Sequence, residues 1–145
     1  MGLFDFFKST PQYSERDIMT KAMSGVAAYQ RRNFSQAATL FAEYFDMKGT
    51  GRYPELDADD YRMYMNLMMS QFYSHNYNAA IKTCQKILSI QSSSGDAYAF
   101  MAMSNFKLNN RLEANSNWEK AKRYGSAITR YYDSISDVKM QGFND

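Results

Sequence analysis

Asn76–Leu88 reads NYNAAIKTCQKIL, and how its cysteine is read decides the fold. Cys84 is the only cysteine of the chain and stands between Lys82 and Lys86. It is either a thiol activated by ammonium neighbours or a small apolar side chain in a position that recurs. The comparison that separates the two is QRRNFSQAATLFAEY, Gln30–Tyr44. Both stretches set an aromatic residue (Phe34, Tyr77) three positions before an alanine (Ala37, Ala80), then Phe41 or Cys84 four later and Tyr44 or Ile87 three after that. NNRLEANSNWEKA repeats the spacing with Ala114, Trp118 and Ala121, but Arg111 holds the aromatic position and Leu112 follows it, which predicts an irregular turn there. Upstream, Gly25, Met68 and Ala102 fall in register, as do Tyr29, Phe72 and Phe106. Ala80 to Ala114 is 34 residues and Ala37 to Ala80 is 43, so the first interval is longer by nine. The surplus falls in MKGTGRYPELD (47–57), a Gly/Pro loop where added length costs little closure entropy.

Helical periodicity surrounds these stretches. Ser14 with Asp17 reads as a capping box, followed by Ile18, Met19, Ala22, Met23, Val26 and Tyr29 on one face to about Arg32. Ser35 is the expected cap of a second helix and Asp57 of a third, which carries Tyr61, Tyr64, Met65, Met68, Met69 and Phe72. A fourth runs from Ala79 to about Ile90, a fifth from Asp96 to about Leu108 and a sixth from Leu112 to Tyr124. Gly125 suits a helix end, and Ser126 is the expected cap of a seventh with Ile128, Tyr131, Tyr132, Ile135 and Val138. With 45% hydrophobic and 16% aromatic residues but only two prolines and seven glycines, the 145-residue chain predicts one all-α globular domain.

The aligned residues resemble the tetratricopeptide repeat, a helix-turn-helix unit of about 34 residues with a small–large–small pattern on its second helix. The likeness covers Lys21 to Tyr124; Lys21, Tyr64 and Tyr98 stand where that pattern has tryptophan, and its closing proline is missing throughout. The resemblance implies a right-handed α-solenoid of about three units plus a C-terminal capping helix. The expected organisation is an N-terminal hydrophobic arm at 1–13 and a single domain at 14–141. Units fall roughly at 14–46, 57–91 and 96–124, with a capping helix at 126–141 and a frayed tail at 142–145.

Register then answers the cysteine question. Cys84 shares its slot with Phe41 and Trp118, so it is expected to pack as a small hydrophobe, with Lys82 and Lys86 directed to other sides of the helix. His75 stands nine residues from Cys84 with no further ligand spaced to join it, and Asp57, Asp59 and Asp60 lack the pattern of a calcium loop. No metal and no cofactor are expected, and no nucleophile elbow, phosphate loop or paired acids suggest an enzyme. A lone cysteine, and a first segment MGLFDFFKS without a basic region or a long apolar run, point to a reducing, cytoplasmic setting.

Function is expected on the inner face of the curved stack. The resemblance assigns to that face Met19, Ala22, Val26, Tyr29 and Gln30, then Arg62, Met65, Asn66, Met69, Phe72 and Tyr73, then Asp96, Ala99, Phe100, Met103, Phe106 and Lys107. The partner-binding set drawn from these is Met19, Tyr29, Arg62, Met65, Asn66, Met69, Phe72, Tyr73, Phe100, Met103 and Phe106. A row so rich in Met and aromatics suits a peptide or amphipathic helix of a partner protein, as in an adaptor, scaffold or chaperone-like module. The family's carboxylate clamp is not matched, since Ala22, Val26, Asp96 and Phe100 stand where cations and an amide are wanted and only Asn66 agrees. Small three-unit bacterial secretion chaperones, of similar length and with a hydrophobic groove for a client peptide, are the nearer analogy.

The same row equally suits core, covered by the last helix, by the LFDFF segment (Leu3–Phe7) or by a second copy in a homodimer. LFDFF itself reads as an arm docking on the protein or a partner, with membrane contact the weaker reading because Lys8 is its one cation. The alternative function is a nucleic-acid-associated or regulatory role for the basic 107–130 region. There Lys107, Arg111, Lys120, Lys122, Arg123 and Arg130 face only Glu113 and Glu119, although the net charge of +2 makes nucleic acid the less expected partner.

Overall fold

A computed structural model describes residues 12–57 and 59–132. The predicted arm at Leu3–Phe7 and the distal part of the predicted capping helix lie outside the described residues. Among the described residues six longer helices and one short one occur in the order α1 Glu15–Gln30, α2 Phe34–Lys48, α3 Pro54–Asp57, α4 Asp60–Tyr73, α5 Tyr77–Ile90, α6 Gly95–Lys107 and α7 Arg111–Arg123. A 3₁₀ turn, Ile128–Arg130, comes last, and no strand occurs among the described residues. No helix there is long and apolar enough to cross a membrane.

Three turns of one kind make the hairpins. Arg32, His75 and Asn109 take positive φ (61°, 66° and 66°), each the second residue past the end of α1, α4 or α6. Each is succeeded by an asparagine of nearly constant geometry: Asn33 (φ −89°, ψ 73°), Asn76 (−91°, 72°) and Asn110 (−88°, 75°). The amides of Asn33, Asn76 and Asn110 donate to the carbonyls of Ala28, Gln71 and Asn105, closing the preceding helix in the same way each time. The irregular third turn expected from Arg111 is therefore not found. Backbone closure sets this turn, and the asparagine before the aromatic position is common to all three copies. Asn33 and Asn76 accept from the amides of Gln36 and Ala79, whereas the Asn110 side chain donates to Asn105 Oδ1 instead.

Other boundaries move for similar reasons. Ser14 caps α1 by accepting from the Asp17 amide, as expected. Asn33, not Ser35, caps α2, and α6 begins at Gly95, one residue before the expected Asp96, with Ser94 capping it through the Ala97 amide. Asp57 does not cap α4; it ends α3, and its carboxylate lies 2.5 Å from Lys48 Nζ. Ser126 Oγ accepts from the Ile128 amide, but the element it opens is, within the described residues, only the short 3₁₀ turn.

Helices pair as α1 with α2, α4 with α5 and α6 with α7, and between pairs α2 packs on α4 and α5 on α6. Lighter contacts run α1 to α4 and α4 to α6, so each hairpin lies against its neighbour in sequence, the stacking of a solenoid. α4 is the shared wall. Its Met63 and Leu67 enter one core cluster with Ile18, Phe41 and Tyr44, and its Met68 and Phe72 enter the other with Cys84, Phe100 and Trp118.

The nine-residue surplus is more than a loop. Tyr53 and Leu56 are buried in the first cluster, and Pro54 opens α3, where a missing N–H costs nothing. Lys48, 3% exposed, is gripped by Asp57 and Asp60. Burial alone would lower its pKa, but the hydrogen bonds to Asp57 and Asp60 outweigh it and the ammonium is held above its ordinary range.

The slot that aligns Phe41, Cys84 and Trp118 is buried in every hairpin, at 0%, 0% and 2% exposure. Its size is matched from the facing helix by Gly25, Met68 and Ala102. A Cβ on Gly25 would meet Phe41 Cε1 at 2.7 Å, and Cys84 Sγ lies 3.1 Å from Met68 Sδ. Where the slot holds a large ring the partner is Gly or Ala; where the partner is Met the slot shrinks to Cys. Burial raises the Cys84 thiol pKa far above its usual range, which leaves the sulfur neutral and unreactive.

Candidate functional site: the face shared by the first helices of each hairpin

On α4 two buried rows, Met68–Phe72 and Met63–Leu67–Ser70, leave one row between them: Arg62, Asn66, Met69 and Tyr73, at i, i+4, i+7 and i+11. The aligned rows are Met19, Met23, Val26 and Gln30 on α1 and Asp96, Phe100, Met103 and Lys107 on α6. These rows are not equally open. Met23 is 68% and Val26 36% exposed, Asn66, Met69 and Tyr73 are half-buried, and Phe100 and Met103 are 4% and 2% exposed.

The eleven partner-binding candidates thus divide. Arg62 is exposed, and Met19, Tyr29, Met65, Asn66, Met69, Tyr73 and Phe106 are half-buried. Phe72, Phe100 and Met103 are core: Phe72 meets Phe100 edge-on at 5.3 Å, and Phe100 meets Tyr73 at 6.3 Å. The resemblance assigned them to the inner face, yet α6, which carries Phe100 and Met103, is apolar or small nearly all round and so buried on every side, and Phe72 of α4 packs against it. Met23, outside the candidate set, is the most exposed large apolar residue of the row. Its signal was its place four residues after Met19 and three before Val26, the spacing of one helix face.

Aromatic and sulfur contacts stiffen one end of this face. Tyr29 lies edge-on to Phe34 at 5.1 Å and to Tyr73 at 6.4 Å, and its hydroxyl donates to Met69 Sδ at 3.9 Å. Burial raises the pKa of both phenols, that of Tyr73 to about 12, while the charge of Arg32 works in the opposite sense.

No group of three or more His, Cys, Asp or Glu that could hold a metal occurs among the described residues. His75 Nδ1 bonds the Tyr77 hydroxyl at 2.8 Å in the second turn. In the basic 107–130 region Arg111 covers the Phe106 ring, Lys120 lies 5.7 Å from the Tyr98 ring centroid and Lys122 pairs with Glu119 at 3.4 Å. Much of that charge is turned to internal contacts.

The fold is an all-α helical repeat of the tetratricopeptide-like kind. No protein-family model matches the sequence, and no curated protein does either. The chain is similar in structure to PcrH, as solved in complex with the chaperone binding region of PopB. The TM-score is 0.65 at 14% identity, over 90% of this chain and 98% of that one. At that identity the likeness concerns the fold.

Proposed function

We propose that this protein is a non-catalytic, chaperone-like module of three repeat units that holds a peptide segment of a partner protein on the face formed by α1 and α4. The observation that carries this reading is the pair Met23 and Val26, left 68% and 36% exposed in register with half-buried Met69 and Asn66. Apolar side chains set in a row at an open face are costly to leave in water and mark a docking surface. Thioethers adapt to varied apolar ligands, as a module that shields a partner segment requires. The likeness to PcrH supports the reading, since that protein was solved holding a chaperone binding region.

Met19, Tyr29, Met65, Met69 and Tyr73 form the apolar floor of the proposed site, with Met23 and Val26 as its open wall. The test is affinity capture from the source cell, with the captured partner then mapped to a synthetic segment. Met23→Glu with Met69→Glu should abolish binding of that segment while far-UV circular dichroism and cooperative unfolding stay unchanged. Undiminished binding by the folded double variant would refute the site.

A further inference from the structure

One charge on the open wall is left unexplained by apolar docking. Arg62 is exposed at the head of the α4 row, and no carboxylate among the described residues pairs with it. Its level neighbours are Met19 on α1 and Asp96 on α6, and the Asp96 carboxylate already accepts a hydrogen bond from Ser126 Oγ at 2.8 Å. From Ala22 to Gln30 on α1 and from Met63 to Tyr73 on α4 no charged residue occurs. A segment lying here would meet thioethers, a valine, an amide and rings along most of its length, with the unpaired Arg62 at one end; at the other, Arg32 is drawn 5.8 Å over the Phe34 ring. From Arg62 to Tyr73 the helix rises about 16 Å, the length of about five residues of extended chain. On the far side Phe100 and Met103 are sunk in the core, so the α6 row offers no comparable apolar surface.

Resting on the peptide-binding reading above, we infer that the occupant is a short extended segment of a partner protein, apolar in its middle and carrying one acidic residue near an end. It lies between the α1 and α4 rows with that carboxylate on Arg62. A planar guanidinium fork matches a carboxylate with two parallel N–H···O bonds, which a lysine cannot reproduce. The apolar contacts supply affinity, and the ion pair selects the register of the bound segment.

The probe is a positional set of labelled eleven-residue peptides with three leucines on a Gly/Ser background. A single Glu, Gln or Lys is moved through the other positions, and binding is read by fluorescence anisotropy. Glu at one terminal-side position should bind about 1.5- to fivefold tighter than Gln there, the range of an exposed ion pair. Lys at that position should bind weaker than Gln. The preference should shrink with added salt, vanish in Arg62→Gln, and fall in Arg62→Lys. Equal binding of Glu and Gln peptides to the wild type overturns the inference while leaving the peptide-binding reading standing. So does a Glu preference that survives in Arg62→Gln. Failure of every peptide to bind, with the wild-type protein folded, overturns both.

Discussion

The guanidinium carbon of Arg111 lies 4.2 Å from the centroid of the Phe106 ring. At the aligned positions of the earlier hairpins two rings meet edge-on, Tyr29 with Phe34 at 5.1 Å and Phe72 with Tyr77 at 5.5 Å. A cation over a ring face thus replaces an aromatic pair at the third turn. The two contacts are of similar worth, about 0.5–1.5 kcal/mol. Arg111→Ala is expected to lower unfolding free energy by about 1 kcal/mol in urea denaturation. Arg111→Tyr, which restores the ring pair of the other hairpins, should recover most of that loss. An Arg111→Tyr variant no more stable than Arg111→Ala would show that the stacking contributes nothing.

The volume exchange between Gly25 and Phe41 supports a swap experiment. Gly25→Ala gains about 1 kcal/mol of helix propensity. Its new Cβ, however, would press on a fully buried ring at 2.7 Å, and overpacking costs about 1–3 kcal/mol. A net loss of about 1 kcal/mol is expected from the difference. Gly25→Met should be far worse alone, and Gly25→Met with Phe41→Cys, which copies the Met68–Cys84 pair, should recover a large part of it. Additive losses in the double variant, read by chemical denaturation, would show that the slots are not complementary.

Cys84 should behave as core. The native protein is expected to leave its thiol unlabelled by a disulfide reagent at mildly alkaline pH, and the unfolded protein to react fully. Labelling of the native protein at the rate of a free cysteine would contradict its burial.

Alkaline titration tests the ring cluster. Burial raises the pKa of Tyr29, Tyr44, Tyr64 and Tyr73 in the folded chain, Tyr73 to about 12, above the ordinary tyrosine value of about 10. The neutral phenols therefore favour the fold fully below the ordinary value, and the advantage is lost as pH rises through the folded values. Stability should hold to about pH 10 and fall between about pH 10 and 12. Tyr73→Phe should show a shallower fall. A phenolate absorbance titration in which all tyrosines of the native protein ionise together near about pH 10 would refute the burial.

Lys48 ties the extra residues between the first and second hairpins to the body of the protein. Lys48→Met keeps the aliphatic stem and removes the clamp on Asp57 and Asp60. Because both carboxylates are partly exposed, the loss is expected to be modest, about 1–2 kcal/mol. Hydrogen exchange should speed up most in residues 49–57. Unchanged exchange there would mean that Tyr53 and Leu56 hold the segment by packing alone.

Period and spacing made the repeat legible. Ala37, Ala80 and Ala114, with the slot of Phe41, Cys84 and Trp118, are determined by which side chains can sit between two helices about 8–10 Å apart, and that demand is written at fixed intervals along one chain. The assignment of an inner face came from the resemblance, and the structure sets Met19 in register with Arg62 and leaves Met19, Asn66 and Met69 half-buried. What sequence could not decide was which inner-face residues stay open. Phe100 and Met103 hold the register of Met23 and Val26, but burial depends on what the far side of a helix touches. Neighbours brought close by folding decide that: Gly95, where a Cβ would meet the Ser126 amide at 2.8 Å, seats α6 tightly against the turn after α7. Nor could periodicity show that Arg111 would stack on Phe106, or that Tyr53 would turn inward from an inserted stretch. Intervals along the chain determine which residues share a face; the contacts made by that face, and so what is left for a partner, arise only when the hairpins stack.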